Sequence, residues 1–126
     1  MRNWLFVDDF CRGIRAVLER GRPGEAYNVG GPDECENLEV VRRIIGLTGA
    51  DESLIEHVTD RPGHDRRYSL SSDKLREELG WEAQVRFADG LARTVDWYRD
   101  NDEWWNPIRS GEYRDYYEKQ YGSALT

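Results

Sequence analysis

Asp60-Arg61-Pro62-Gly63-His64-Asp65-Arg66-Arg67-Tyr68 sets three arginines and a histidine around a proline and a glycine. Proline holds its own φ and glycine takes a positive φ at little cost, so the run reads as a rigid turn. The guanidinium groups beside it can grip a phosphate through paired N–H donors, which makes the turn a candidate anion site. A solvated loop, whose charges only keep a surface wet, is the rival reading. Ile55 to Thr59 reads as a short strand leading into the turn and Arg67 to Ser71 as one leaving it, so both ends are pinned.

Working outward, Phe10, Ile14, Val17 and Leu18 recur at helical spacing. They predict an amphipathic helix from Asp8 or Asp9 to Gly21 with this stripe buried. Glu25 to Val29 reads as a strand that ends in Gly30-Gly31 and runs into a loop over Asp33 to Glu36. Asn37 stands at the N-cap position of a helix whose buried stripe is Leu38, Val41, Ile44, Ile45 and Thr48. Ser71 or Ser72 caps a short helix closed by Gly80, and Phe87, Leu91, Val95 and Tyr98 stripe a longer one ending near Asn101. Trp104-Trp105-Asn106-Pro107 reads as the least regular stretch, and Tyr113, Tyr116, Tyr117 and Tyr121 as one face of a last helix. Both aromatic groups read as docking surface, because aromatics at helical spacing bury against a core or a neighbour.

At 126 residues the chain suffices for one domain and is too short for a nucleotide-binding domain plus a substrate domain. A net charge of −7 disfavours nucleic acid, whose phosphates need a broad basic field. A basic turn on an acidic body points instead to a small anion. Cys11 and Cys35 have no CxxC spacing, and with His57 and His64 the only histidines, reduced thiols are expected and a zinc site is not. No stretch approaches the ~18 apolar residues of a membrane span, and no leader sequence is read at the start. A soluble, cytoplasmic protein without a membrane partner is expected.

Four motifs in one order carry a resemblance: Arg2-Asn3-Trp4-Leu5-Phe6-Val7-Asp8-Asp9, Tyr27-Asn28-Val29-Gly30-Gly31, the Glu34 to Asn37 spacing before Leu38, and the basic turn. Together with Leu79-Gly80-Trp81 and Thr94-Val95-Asp96-Trp97-Tyr98 they resemble the dTDP-glucose 4,6-dehydratases of the extended short-chain dehydrogenase/reductase superfamily. The resemblance runs from Arg2 to about Tyr121 and covers only the carboxy-terminal part of such an enzyme. It implies a mixed α/β fold, helix-rich with a few short strands, in which residues 1–126 are a nucleotide-sugar-binding domain and the Rossmann half is absent.

The superfamily's cofactor site needs a glycine-rich turn that opens a helix beneath a pyrophosphate, and Gly30-Gly31, followed by Pro32 and an acidic loop, lacks that form. No tyrosine here has a lysine four residues on, so the superfamily's proton-transfer pair is missing too. NAD is therefore assigned to the complete enzyme and no cofactor to this chain, which is expected to be inactive alone. In the complete enzyme the resemblance implies hydride removal from sugar C4, loss of water across C5 and C6, and return of the hydride to C6, turning dTDP-glucose into dTDP-4-keto-6-deoxyglucose.

What the resemblance leaves to this chain is the substrate side: Arg2, Asn37, Asp60, Arg61, Pro62, Gly63 and His64. Arg2 and Arg61 suit bidentate contact with a diphosphate, and Asn37 offers both a donor and an acceptor. Each has a plainer role: Asn37 as a helix cap, His64 as a polar turn residue, Arg2 as part of a disordered terminus. Arg66 and Arg67 are assigned to salt bridges or surface, and His57 to packing within its strand. Asn3 replaces the family's usual aspartate, and Phe10 a frequent histidine. The partners expected are a dTDP-sugar or a related nucleotide-diphosphate-sugar, the missing NAD-binding half, and further copies of the chain in a homo-oligomer. A free-standing nucleotide-sugar-binding module and a ligand-free interaction domain are the alternatives.

Overall fold

A computed structural model describes residues 1–57, 59 and 62–111. Val58, Asp60, Arg61 and residues 112–126 lie outside the described residues, and with them the tyrosine-striped last helix. The chain gathers into two compact units, one over Met1–Arg93 and the other beginning at Thr94. The elements in order are β1 (Arg2–Trp4), α1 (Val7–Arg20), β2 (Asp33–Cys35), α2 (Asn37–Thr48), a 3-10 turn (Glu52–Leu54), α3 (Asp73–Leu79), α4 (Phe87–Asp100) and α5 (Asp102–Ser110).

In the first unit, β1 and β2 form a two-stranded antiparallel sheet, and α1 packs on α3. The core is Ala16, Leu75 and Trp81, walled by Leu5, Val17, Tyr27, Val29, Leu79 and Ala83. Leu75 and Asp9 are fully buried. Asp9 ties the start of α1 to the segment after Trp81. Its carboxylate accepts from the Gln84 and Val85 amides at 3.1 and 2.9 Å and pairs with Arg12, while its carbonyl accepts from Trp81 Nε1 at 3.2 Å.

Helix α1 turns inward a face beside the predicted apolar stripe, of which only Val17 reaches the core. Asp9, Gly13 and Ala16 are its buried residues, whereas Phe10, Ile14 and Leu18 are exposed, Leu18 at 84%. The reason is distance: a Cβ on Gly13 would come within 2.6 Å of Val29 Cγ1 and 3.3 Å of the Trp81 ring. Only small side chains fit so close an approach. Helix α2 likewise buries Val40, while Val41 and Ile44 of its predicted stripe are exposed.

Three predicted strands are corrected. Glu25 to Val29 is irregular, and the strand forms four residues later, at Asp33–Cys35, within the predicted loop. The lead-in to the basic turn holds the 3-10 turn and no strand among its described residues, and His57 there is exposed, so it does not pack. Arg67 to Ser71 contributes a single bridge, Arg2 with Tyr68. Hydrophobic alternation is a weak guide in segments that pair over so few residues. Cys35 is buried on β2, not on a loop, and Cys11 is exposed on α1.

Ser72, one of the two serines predicted to cap α3, holds its N-cap position without a side-chain cap hydrogen bond, while Ser71 Oγ accepts from Asp73 N at 3.1 Å. In the second unit, Trp104 to Pro107 is helical, contrary to prediction. Trp97 meets Trp104 edge-on at 5.4 Å, and Trp105 Nε1 donates to Tyr98 O at 2.7 Å. These ring contacts form although the residue before Pro107 is locally biased against helix. Tyr98, Trp104 and Ile108 remain largely exposed.

Candidate functional site

Arg2 is fixed by strand pairing on both sides. β1 runs against β2 in the register Arg2↔Cys35, Asn3↔Glu34 and Trp4↔Asp33, and on its other edge Arg2 bridges Tyr68 in parallel. The Tyr68 amide donates to Met1 O at 3.1 Å. Arg2 thus belongs to an ordered strand, which corrects the expectation of a disordered terminus.

The Arg2 guanidinium has three partners. It donates to Met1 O at 2.8 Å, lies 4.6 Å over the Tyr68 ring, and meets His64 Nε2 at 2.6 Å. Arginine can only donate, so in this contact Nε2 of His64 is the acceptor, a role that the Nδ1–H tautomer provides. Two residues 62 apart in sequence, both named as candidate ligand contacts, are thereby in direct contact. Between them and the rest of the turn, Pro62 and Gly63 make the bend, with Gly63 at φ 70°, a left-handed conformation that glycine adopts readily.

A second cluster braces the turn. Glu34 accepts from Arg67 Nε and Nη2 at 2.8 and 2.6 Å and from the Ser69 hydroxyl. The Arg67 and Ser69 hydrogen bonds hold the Glu34 carboxyl down to about 2, so this clasp stays charged as pH falls through the usual carboxylate range. The Tyr68 hydroxyl donates to Asp65, which raises its pKa above the ordinary phenol value.

Gly31 closes the corner. Asn3 Nδ2 donates to Gly31 O at 2.6 Å and Asn3 Oδ1 accepts from Gly31 N at 2.9 Å. An aspartate at position 3 could make the second bond but not the first, so the departure from the family's usual residue adds a contact here.

Asn37 is the first residue of α2 and not its cap; Glu36 holds the cap position without a side-chain hydrogen bond. It stands two residues beyond Cys35, the register partner of Arg2. Asp60 and Arg61 lie outside the described residues. Sequence reasoning passed over Tyr68 and Glu34. Strand alternation in Arg67-Tyr68-Ser69 puts the outer two on one face and the middle one on the other, but nothing local to that triplet named Glu34 as the partner of the outer two.

Gly30-Gly31 does not suit a cofactor pyrophosphate. A Cβ on Gly31 would meet Trp4 O at 1.6 Å and one on Gly30 would meet Asn3 Oδ1 at 2.6 Å and Leu70 O at 2.7 Å, so the space beside these glycines is filled by the chain itself. A strand, not a helix, follows them. Among the described residues no group of three or more His, Cys, Asp or Glu side chains could hold a metal ion, and no helix is long and apolar enough to cross a membrane.

The described residues, helix-rich with a short two-stranded sheet, correspond to the carboxy-terminal portion of an extended short-chain dehydrogenase/reductase. A family model described as GDP-mannose 4,6 dehydratase matches residues 1–94, and the chain belongs to that family. It is similar to a dTDP-glucose 4,6-dehydratase of Streptomyces niveus, with 53% identity over 109 residues, 86% of this chain and 32% of the relative. Among solved structures it is similar to DesIV, a dTDP-glucose 4,6-dehydratase from Streptomyces venezuelae with NAD and TYD bound, at 52% identity and a TM-score of 0.78 over 84% of this chain and 33% of that one. A more distant structure, the Bordetella bronchiseptica enzyme WbmF in complex with NAD+ and UDP, gives 29% identity and a TM-score of 0.68 over 90% of this chain and 33% of the other. The chain spans about a third of the length of the curated relatives it matches.

Proposed function

We propose that this chain is the nucleotide-diphosphate-sugar-binding part of a dTDP-glucose 4,6-dehydratase-like enzyme, and that it has no dehydratase activity by itself. The observation that carries the reading is the contact between Arg2 and His64, which joins the two ends of a candidate diphosphate site across 62 residues. Arg2 supplies fixed positive charge and planar paired donors, Tyr68 supports the guanidinium from one side, and His64 meets it through Nε2. Asn37, Asp60, Arg61, Pro62 and Gly63 complete the proposed set. In the complete enzyme dTDP-glucose loses water to become dTDP-4-keto-6-deoxyglucose, and NAD belongs to the part outside this chain. That assignment is supported by the relatives solved with NAD and by the filled space beside Gly30 and Gly31.

Calorimetric titration of dTDP into the chain tests the reading. Saturable binding is expected, weakened by about 1.5–3 kcal/mol in Arg2→Ala, the range for hydrogen bonds to charged groups. Equal affinity in the variant, or no binding by the parent chain, would remove the substrate-side assignment and favour an interaction domain.

Association follows from α1. Its exposed face carries Val7, Phe10, Ile14 and Leu18, whereas the Trp4 ring meets Phe87 and the Phe6 ring lies against Gly90. Relatives three times as long have further chain with which to cover such a face, and we propose that the missing NAD-binding half does so. The isolated chain is then expected to self-associate at micromolar concentration in sedimentation experiments, and Ile14→Glu with Leu18→Glu to shift it to monomer. A monomeric parent with a sharp, reversible melt would argue against it.

A further inference from the structure

We infer that Glu34 is a positioning residue for nucleotide-diphosphate binding: by clasping Arg67 and Ser69 it holds the Arg2–His64 pair in place without touching the ligand. This rests on the substrate-binding reading above, and it names a residue that the reading does not contain.

Alternation in the three paired segments carries the inference. Residues opposite one another in a ladder point to the same face, and neighbours in sequence point to opposite faces. Asn3 is paired with Glu34, so their side chains share one face of the sheet. Arg2 is bridged to Tyr68 and its guanidinium lies over that ring, so these two share the other face. Arg67 and Ser69 flank Tyr68 and therefore fall on the Glu34 face, where both donate to its carboxylate.

The segment after the basic turn is thus gripped from behind by Glu34 and presents Tyr68 in front, against Arg2. The backbone ties of that segment to the start of the chain are the Arg2–Tyr68 bridge and the Met1 amine, which donates to Arg66 O at 2.8 Å. So short a pairing leaves position along the strand weakly specified. The paired Arg67 contact restricts both distance and angle, which a lone ladder bond does not. His64 precedes this anchor by three residues. Freeing Arg67 and Ser69 lets the turn shift, and His64 Nε2 loses its place 2.6 Å from Arg2.

The test uses the intact chain in two measurements, one independent of ligand. Nitrogen-15 spectra of the imidazole rings report which nitrogen of His64 carries the proton, with only His57 as a second signal. In the parent chain the Nδ1–H form of His64 is expected. In Glu34→Gln, and equally in Arg67→Gln, which removes the same contact from the other side, His64 is expected to average between tautomers. Calorimetry with dTDP is expected to show at least a tenfold loss of affinity in both variants. Glu39→Gln, which breaks the separate Glu39–Arg43 pair on α2, is expected to change neither readout.

An unchanged His64 tautomer in the Glu34 and Arg67 variants overturns the proposal, whatever the affinity does. A changed tautomer with unchanged dTDP affinity overturns it as well, and so does an equal effect of Glu39→Gln. If the parent chain binds no dTDP while the tautomer still responds to Glu34 and Arg67, the clasp is supported and the ligand reading alone fails.

Discussion

Gly31→Ala is expected to cost at least about 3 kcal/mol of unfolding free energy, the upper end of the range for forcing extra atoms into a packed site. An added Cβ would sit 1.6 Å from Trp4 O and 2.5 Å from Trp4 C, with Leu5 N at 3.1 Å. All three atoms are backbone, so no side chain can swing aside. Relief has to come from separating Gly31 from β1, which also breaks both Asn3 contacts with Gly31. Because Arg2 lies next to Asn3 on β1, the variant should lose dTDP affinity along with stability. A urea titration that places Gly31→Ala within 1 kcal/mol of the parent would show that this corner is far looser than its contacts imply. Gly24→Ala is a suitable comparison, since nothing lies within 4 Å of that position and only its φ of 84° opposes the change.

Asp9→Ala is the other large effect. The carboxylate is fully buried and accepts two backbone amides, Gln84 and Val85. Two hydrogen bonds to a charged acceptor, at about 1.5–3 kcal/mol each, give an expected loss of about 3–6 kcal/mol. Arg12 adds little to that sum, because its side chain is 40% exposed and water replaces what it loses. Asp9→Asn retains one acceptor oxygen at the same reach and should recover about half of the difference. For a chain of this size, where total stability is of order 5–15 kcal/mol, Asp9→Ala should leave α1 and the segment after Trp81 poorly held. Loss of amide exchange protection at Gln84 and Val85 in the alanine variant would confirm the route. An unfolding midpoint equal to that of the parent would show that α1 is held by its Ala16 and Gly13 contacts instead.

The two predictions act on different links. Asp9 holds the helical layer together through its own carboxylate, whereas Gly31 matters only for what its hydrogen atom leaves room for. Neither position reads as special from composition or from hydrophobic period. An acidic residue in the first turn of a helix is ordinary, and so is a glycine before a proline.

The sequence by itself determined four of the helices, α1 to α4, and the bend of the basic turn. Turn residues and apolar period are local properties, and so α1, α2, α3 and α4 lie close to their predicted spans, with Gly49 and Gly80 ending two of them in the left-handed conformation. The same local logic put the bend at Pro62-Gly63 and named Arg2 and His64 as candidate contacts on family resemblance. Tertiary structure decided which helix faces are buried. Apolar stripes mark two possible inner faces on α1, one large and one small, and the close approach of Val29 and Trp81 selected Gly13 and Ala16 over Ile14 and Leu18. It also decided the sheet. Strands of three residues carry too little alternation to announce themselves, and Asp33–Cys35 forms one because β1 lies alongside it. The Glu34 clasp, and the contact of Arg2 with His64, exist only once that pairing has brought positions 2, 34 and 64 to 69 onto one small sheet. Contacts of such sequence separation arise from packing, and no local window of residues contains them.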